Sequence, residues 1–466
     1  MIIRLVVTIL LLAAAALILR KRTFPDILWP KAETWFGGFL FFLFSGLFIA
    51  LKFNRHAALL TTGYDLSAFD YAFYNTLHGS FMYTPFFGVN YLKEHFFPLV
   101  LAVIPVYALH PGPEILLVLQ AVMVAACAIP LYALSRRLTA SPFFSILFVA
   151  AFLMNPFLLR GLEFDFHIEM AAPFLLCLLF LTYVREQRAA FFAVLLLFFF
   201  TKENEWITGL FLCIAFWFDK DRKGFTLPLF LFSLGYGLCI LFVINPHFSA
   251  GFGKYMGRYL TFGETPFQAG FYLLTHPAVL LNGNTLQQAF KLLMPIGGLP
   301  LLSPLAMGAL PDFIMHMVSC GTQQKALLLY YPAALLTLLF IAGLFAVAGL
   351  KKRFAAFPLW LALIPIVVMN SGYLRFMPVT ENDRAIVTLC RSIPDGHRTA
   401  ADNVLIPHIK HQKEIVCAYY VSDEVERFNY LIFREKDFPD LAAQLAAGNS
   451  HVKAGEAGGV ILYRKE

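Results

Sequence analysis

The sequence predicts an all-α polytopic membrane protein of roughly 11 to 13 transmembrane helices, carrying a small C-terminal α/β extracytoplasmic domain. Three observations predict it. The 466 residues are 59% hydrophobic and only 14% charged, with a mean hydropathy of +0.70, more apolar than an ordinary soluble domain. Apolar runs at 35–53, 113–134, 225–244 and 326–350 are each long enough to cross a hydrocarbon core of about 30 Å as a helix. From about Val379 the chain turns to soluble-type sequence, in which charges, Gly and Pro punctuate short apolar runs.

The 51 phenylalanines suit lipid-facing and interhelical packing, where dispersion contacts dominate. The formal charge of +7 does not form a stripe of the kind that binds nucleic acid. Basic residues cluster instead at Arg20-Lys21-Arg22, Arg136-Arg137, Arg185 with Arg188, Lys220 to Lys223, and Lys351-Lys352-Arg353, each beside an apolar run. The positive-inside rule assigns all five to the cytoplasm of a multi-pass protein in the cytoplasmic membrane. The first apolar run, 2–19, reads as a span, because apart from Arg4 its basic residues follow it and no small-residue cleavage site comes after.

This bookkeeping makes residues 54–113 a large first external loop and sends everything beyond 370 outside. The stretch 96–109 is short and interrupted by Pro98 and Pro105, so it is expected as a re-entrant or interface-lying helix. The proline-rich stretch 292–318 is expected as a hairpin of two half-spans. Residues 1–378 then form the membrane domain and 379–466 the α/β domain. In the latter the patterns predict helices at 381–390 and 438–446 and strands at 398–401, 415–418, 430–433 and 460–463. Of the seven cysteines, five fall in or beside membrane runs without metal-ligand spacing. Cys390 and Cys417 are open to pairing in an oxidising compartment.

With this sidedness the acidic residues gather on the outer face, and acids at membrane-helix ends mark functional sites by default. In Gly63-Tyr64-Asp65-Leu66-Ser67-Ala68-Phe69-Asp70-Tyr71, a partly desolvated carboxylate has the character of a general base towards a hydroxyl. The bland alternative is a helix cap starting at Leu66. Asp65 is read as functional and Asp70 as either. In Glu163-Phe164-Asp165-Phe166-His167-Ile168-Glu169, polar and apolar side chains alternate. An extended chain puts all four polar residues on one face, and a helix pairs Asp165 with Glu169. The carboxylates of Asp165 and Glu169 suit Mg²⁺ or Mn²⁺, against a plain reading as a polar plug. In Thr201-Lys202-Glu203-Asn204-Glu205, Lys202 either neutralises Glu203 or meets a lipid phosphate. Lys254, Tyr255, Arg258, Tyr259 and Arg375 are further phosphate-binding candidates or interfacial anchors. No P-loop, dinucleotide fingerprint, nucleophile elbow or Cys-x-x-Cys pair occurs.

The order Tyr64-Asp65, Asn75-Thr76-Leu77-His78-Gly79, Glu94-His95-Phe96-Phe97-Pro98, Gln120 and Pro130-Leu131-Tyr132-Ala133-Leu134-Ser135-Arg136-Arg137 resembles a family of prokaryotic polytopic membrane proteins known as a domain of unknown function. The Asp165 to Glu169 run, Lys202-Glu203, Leu292-Leu293-Met294-Pro295 and Leu302-Ser303-Pro304 fit it too. That family is similar to the GT-C superfamily, whose members move a sugar from a polyprenyl-phosphate carrier to an acceptor at the outer membrane face. The resemblance implies a GT-C-like membrane domain with Asp65 at the position of the acidic residue in the first external loop. Asp165 and Glu169 match the second acidic motif. Together with the reading of the residues themselves, this gives Asp65, Asp70, Asp165, His167 and Glu169 as catalytic candidates, and Tyr64, His95, Lys202, Glu203, Arg258 and Arg375 as substrate-binding candidates. Asp65-Leu66 stands where many GT-C enzymes have two adjacent acids, and His95 with Pro98 departs from their His-Pro spacing. The reading from a different class is a transporter or lipid-handling scaffold that uses the same cavity without chemistry.

Overall fold

A computed structural model describes residues 33–248, 257–350, 372–421, 424–448 and 450–466, with Leu361, Ile364 and Val368 between them. The expected span at 2–19, the basic groups at 20–22 and 351–353, and Lys254 and Tyr255 lie outside these residues. The described chain is mostly helical. Among the described residues, four helices are long and apolar enough to cross a membrane: Trp35–Ala57, Pro113–Thr139, Lys223–His247 and Ala333–Leu350. The pair Pro142–Leu153 and Pro156–Glu163, bent by 49°, makes a fifth if it counts as one span. Shorter apolar helices include Ile168–Val184, Arg188–Phe199 and Glu205–Trp217.

Helix Ala333–Leu350 is apolar on all sides and almost wholly buried, as a helix at the centre of a bundle must be. Phe340 on it meets Phe148 and Phe152 edge-on, with centroids 5.6 and 5.3 Å away. Small residues let other helices approach closely. A Cβ on Gly209 would come within 2.4 Å of Ser233 Oγ and 2.7 Å of Phe199 Cζ, so Glu205–Trp217 and Thr226–Cys239 pack where only glycine fits.

The stretch 96–109 forms two short pieces, Pro98–Ala102 and Ile104–Tyr107. At about 1.5 Å per residue they are far too short to span. The expected hairpin at 292–318 is a correction. Its prolines yield successive short turns, Met294–Ile296, Leu299–Leu302 and Pro304–Ala309, followed by one regular helix, Leu310–Val318. Each proline removes a donor and crowds the preceding turn, so the chain restarts before it runs on as the short apolar helix Pro304–Val318.

The C-terminal region holds a five-stranded mixed sheet. Strands β1 (Tyr83–Thr84) and β2 (Val89–Asn90) form a separate hairpin. The C-terminal sheet comprises β3 (Arg398–Ala401), β4 (Glu414–Cys417), β5 (Tyr430–Arg434), β6 (His451–Ala457) and β7 (Val460–Lys465), in the order β4-β3-β5-β7-β6. β3 is parallel to β4 and β5; β7 is antiparallel to β5 and β6. Helices Glu381–Arg391 and Pro439–Ala447 accompany it. Strand β6 was not expected: it is an edge strand with a single buried residue, and it is Gly-containing, so it lacks the apolar alternation that marks a strand. Cys390 and Cys417 are both buried and free.

Candidate functional site

Part of the polar inventory lines one cavity of about 840 Å³, with Asp165 and Glu169 outside its wall. Its wall includes Tyr64, Asp65, His95, His167, Lys202, Glu203 and Arg258, seven of the eleven residues singled out in the sequence.

Asp65 lies in a π-helical turn, Gly63–Ser67, placed before helix Ala68–Leu77. It is not the helix cap, since Thr62 and Ser67 occupy the cap positions. Such turns recur at functional sites because the extra residue redirects a side chain. Burial and the carboxylates of Asp165 and Glu169 push Asp65 up to about 7, against an opposing effect of His95. A carboxylate poised there exchanges its proton near neutrality.

The Asp165 segment is neither a strand face nor a helix. Helix Pro156–Glu163 ends, Phe164 and His167 take extended backbone angles, and a 3₁₀ turn Ile168–Ala171 follows. Asp165 accepts from the Thr62 backbone N–H at 3.0 Å and from Thr62 Oγ1 at 2.5 Å. Gln120 Nε2 donates to Gly161 O at 2.9 Å, and its Oε1 accepts from the His167 N–H at 2.6 Å. Lys52 Nζ donates to Phe164 O and Arg55 Nε to Glu163 O at 3.1 Å. Backbone that has left regular structure inside a membrane needs such partners. His167 stacks on Tyr330 with centroids 3.6 Å apart.

The expected pairing of Lys202 with Glu203 is corrected. Lys202 Nζ lies 2.8 Å from Glu169 Oε1, and Glu203 Oε1 lies 2.8 Å from His95 Nδ1. Adjacent residues at the tight corner between Arg188–Phe199 and Glu205–Trp217 point to different neighbours, so each found a partner from another segment. Burial disfavours the Lys202 ammonium, but Glu169 and Glu203 outweigh it and hold the group above its ordinary value. Burial likewise works against ionised Glu203, and His95 overcomes it, leaving the carboxyl below its usual range. Glu203 Oε2 remains buried without a partner.

Asp165 and Glu169 do not fit a metal centre. Glu169 is matched by an ammonium and Asp165 by Thr62, and among the described residues no cluster of three metal-ligating side chains occurs. Asp70 stands outside the cavity wall: Tyr107 OH donates to its Oδ1 at 2.5 Å and His411 Nε2 lies 2.9 Å from its Oδ2. Arg375 is exposed and also outside the wall.

A polar wall that sequence reading missed closes the other side. His316 Nε2 lies 3.3 Å from Asp312 Oδ1 and 3.0 Å from Tyr331 O. Gln324 Nε2 donates to His316 Nδ1 at 3.1 Å and Tyr259 OH at 3.2 Å, and its Oε1 accepts from Arg258 Nη1 at 3.2 Å. Asp312 and His316 sit four apart in an apolar run, a spacing that marks one helix face and was there to be read.

The matching family is the predicted membrane protein family DUF2079, over residues 55–455. No curated protein matches the sequence. Among solved structures the chain is similar to ArnT from Cupriavidus metallidurans bound to undecaprenyl phosphate, with a TM-score of 0.54 and 13% identity over 91% of this chain and 97% of that one. It is also similar to the same protein in the apo state, with a TM-score of 0.50 and 11% identity over 90% and 97%. At these identities the likeness is one of fold. The chain belongs to the DUF2079 family of predicted membrane proteins and shares the fold of ArnT.

Proposed function

We propose that the protein is a GT-C-type glycosyltransferase that moves a sugar from a polyprenyl-phosphate carrier to an acceptor at the outer face of the cytoplasmic membrane, with residues 379–466 on that face. The observation that carries this reading is Asp65: a half-buried carboxylate with a pKa near 7 in the wall of a cavity that also presents Lys202 and Arg258. The shared fold with ArnT, which was crystallised with undecaprenyl phosphate, supports it.

In this mechanism Asp65 takes the proton of an acceptor hydroxyl as its oxygen attacks the anomeric carbon. The bond from that carbon to the phosphate oxygen breaks, its electron pair leaves with the polyprenyl phosphate, and the configuration inverts. Lys202 and Arg258 stabilise the charge that develops on the departing phosphate, where a water-poor site strengthens the attraction. Thr62, Gln120 and Lys52 hold the Asp165 segment, and Asp165 raises the proton affinity of Asp65 from behind.

The test is to identify lipids that copurify with the protein by mass spectrometry and to assay transfer from them in lipid nanodiscs. Asp65→Asn should insert normally and lose transfer. Full transfer by Asp65→Asn removes Asp65 from the mechanism.

A further inference from the structure

We infer that the 403–412 segment of the C-terminal region is a positioning element for the Asp65 turn, with Asn403 as its principal positioning residue. The inference deepens the transferase reading, on which the role of Asp65 rests.

The turn Gly63–Ser67 begins with backbone donors that have no partner inside it, as any helical start does. Gly63 N–H is satisfied from the C-terminal region, by Asn403 O at 2.8 Å and Asn403 Oδ1 at 3.0 Å. The preceding residue, Thr62, is satisfied from the membrane region by Asp165. Two consecutive residues just before Asp65 are therefore held from opposite sides. Contact at Gly63 is so close that a Cβ there would lie 2.8 Å from Ile406 Cβ and 2.9 Å from its Cγ2. Ile406 consequently seals the outer side of the turn against water.

The grip continues along helix Ala68–Leu77. His411 Nε2 lies 2.9 Å from Asp70 Oδ2, and its ring stacks on Tyr74 at 3.7 Å with planes 10° apart. Gln412 N–H donates to Tyr71 OH at 2.8 Å. Tyr64 OH and Tyr420 OH are 3.0 Å apart. Beneath these bonds Leu59 and Tyr71 share one hydrophobic core with Ile386, Ile406, Ile415, Ile432 and Leu462. A tethered appendage would meet the membrane region through a wet polar surface. Here instead the sheet's own core is completed by residues flanking Asp65, so displacing the segment moves the turn.

The experiment follows the protonation of Asp65 without turnover. Purified full-length protein in detergent is treated with a water-soluble carbodiimide and an amine across a pH series, and labelling at Asp65 is read by fragment mass spectrometry. Protonated carboxyls react, so wild-type labelling should fall with a midpoint near pH 7. Asn403→Ala should lower that midpoint by about one unit or more as the loosened turn admits water. Asn403→Asp, which keeps the side-chain oxygen that Asn403→Ala removes while the backbone O of residue 403 stays on Gly63 N–H in both, should not lower it. Gly63→Ala perturbs the same contact from the other side and should act like Asn403→Ala; whichever of these two is recovered folded decides. An unchanged midpoint in a folded variant overturns the inference. Labelling requires no catalysis, so failure of the transferase reading leaves this result interpretable, and intact transfer with unchanged labelling removes the positioning role alone.

Discussion

His56 and His408 lie face to face, their ring centroids 4.2 Å apart and their planes 23° from parallel. The first closes helix Glu33–Ala57 and the second ends the turn Ile406–His408, so the stack joins the membrane region to the C-terminal region. His56 Nδ1 bonds Thr61 Oγ1 at 2.9 Å, whereas His56 Nε2 and both nitrogens of His408 are buried without hydrogen-bond partners. The charged groups facing the stack are Glu114, 4.0 Å from His56 Nε2, and Arg391, 3.6 Å from Glu114.

Burial, then His56 and Arg391, hold His408 well below the ordinary histidine range, so it is neutral in the folded protein. The unfolded chain takes up this proton first as pH falls. Stability from this group is therefore complete above about pH 6.5 and declines below it, by at most about 1.4 kcal/mol per pH unit. Thermal unfolding in detergent between pH 7.5 and 5 should show the decline. His408→Phe keeps a ring and removes two unsatisfied nitrogens, so it should flatten the slope; an equal slope in both proteins refutes the assignment.

Asp65 is pushed up to about 7 by burial and by Asp165 and Glu169, and in the proposed role it acts as a base only when deprotonated. Transfer should rise with pH through a midpoint near 7. Asp65→Asn should lower kcat about 10²- to 10⁴-fold. The pH dependence of kcat/KM checks both, and a profile flat from pH 5 to 8 counts against this role.

Lys202→Met leaves Glu169 as a largely buried carboxylate without its 2.8 Å partner. Breaking such a pair from one side destabilises by about 3 to 5 kcal/mol. Adding Glu169→Gln removes the orphaned charge and should restore most of the lost stability, although not the transfer. A double-mutant cycle on thermal unfolding measures it; simple additivity of the two changes speaks against the pair.

Gln120→Leu preserves approximate volume but removes the donor to Gly161 O and the acceptor of the His167 N–H. Each buried group left unsatisfied costs about 1 to 3 kcal/mol. Hydrogen exchange at His167 should accelerate at least tenfold, with the fold retained. Unaltered exchange there shows that Gln120 does not fasten this loop.

Much of the architecture was legible in the chain. Strands β3, β4, β5 and β7 lie within about two residues of expectation, because alternating apolar residues bounded by turn formers leave few alternatives. The two proline-broken pieces at 98–107 follow from the same local chemistry. The helix at 310–318 was obscured by the prolines before it, and Asp312 with His316 was lost along with it. Asp70, read as either functional or structural, shows what residue order could not supply. Its place in the motif beside Asp65 suggested chemistry, yet its partners are Tyr107 and a histidine 341 positions further on.

The sequence by itself determined what depends on composition and local period: an apolar, multiply crossing chain, a terminal α/β region, and a short roster of polar residues too costly to bury without purpose. Tertiary structure alone decided the pairings, sending Lys202 to Glu169, Glu203 to His95 and Gly63 to Asn403. A buried polar group takes whichever partner the packing brings within about 3 Å, and that proximity has no signature in residue order.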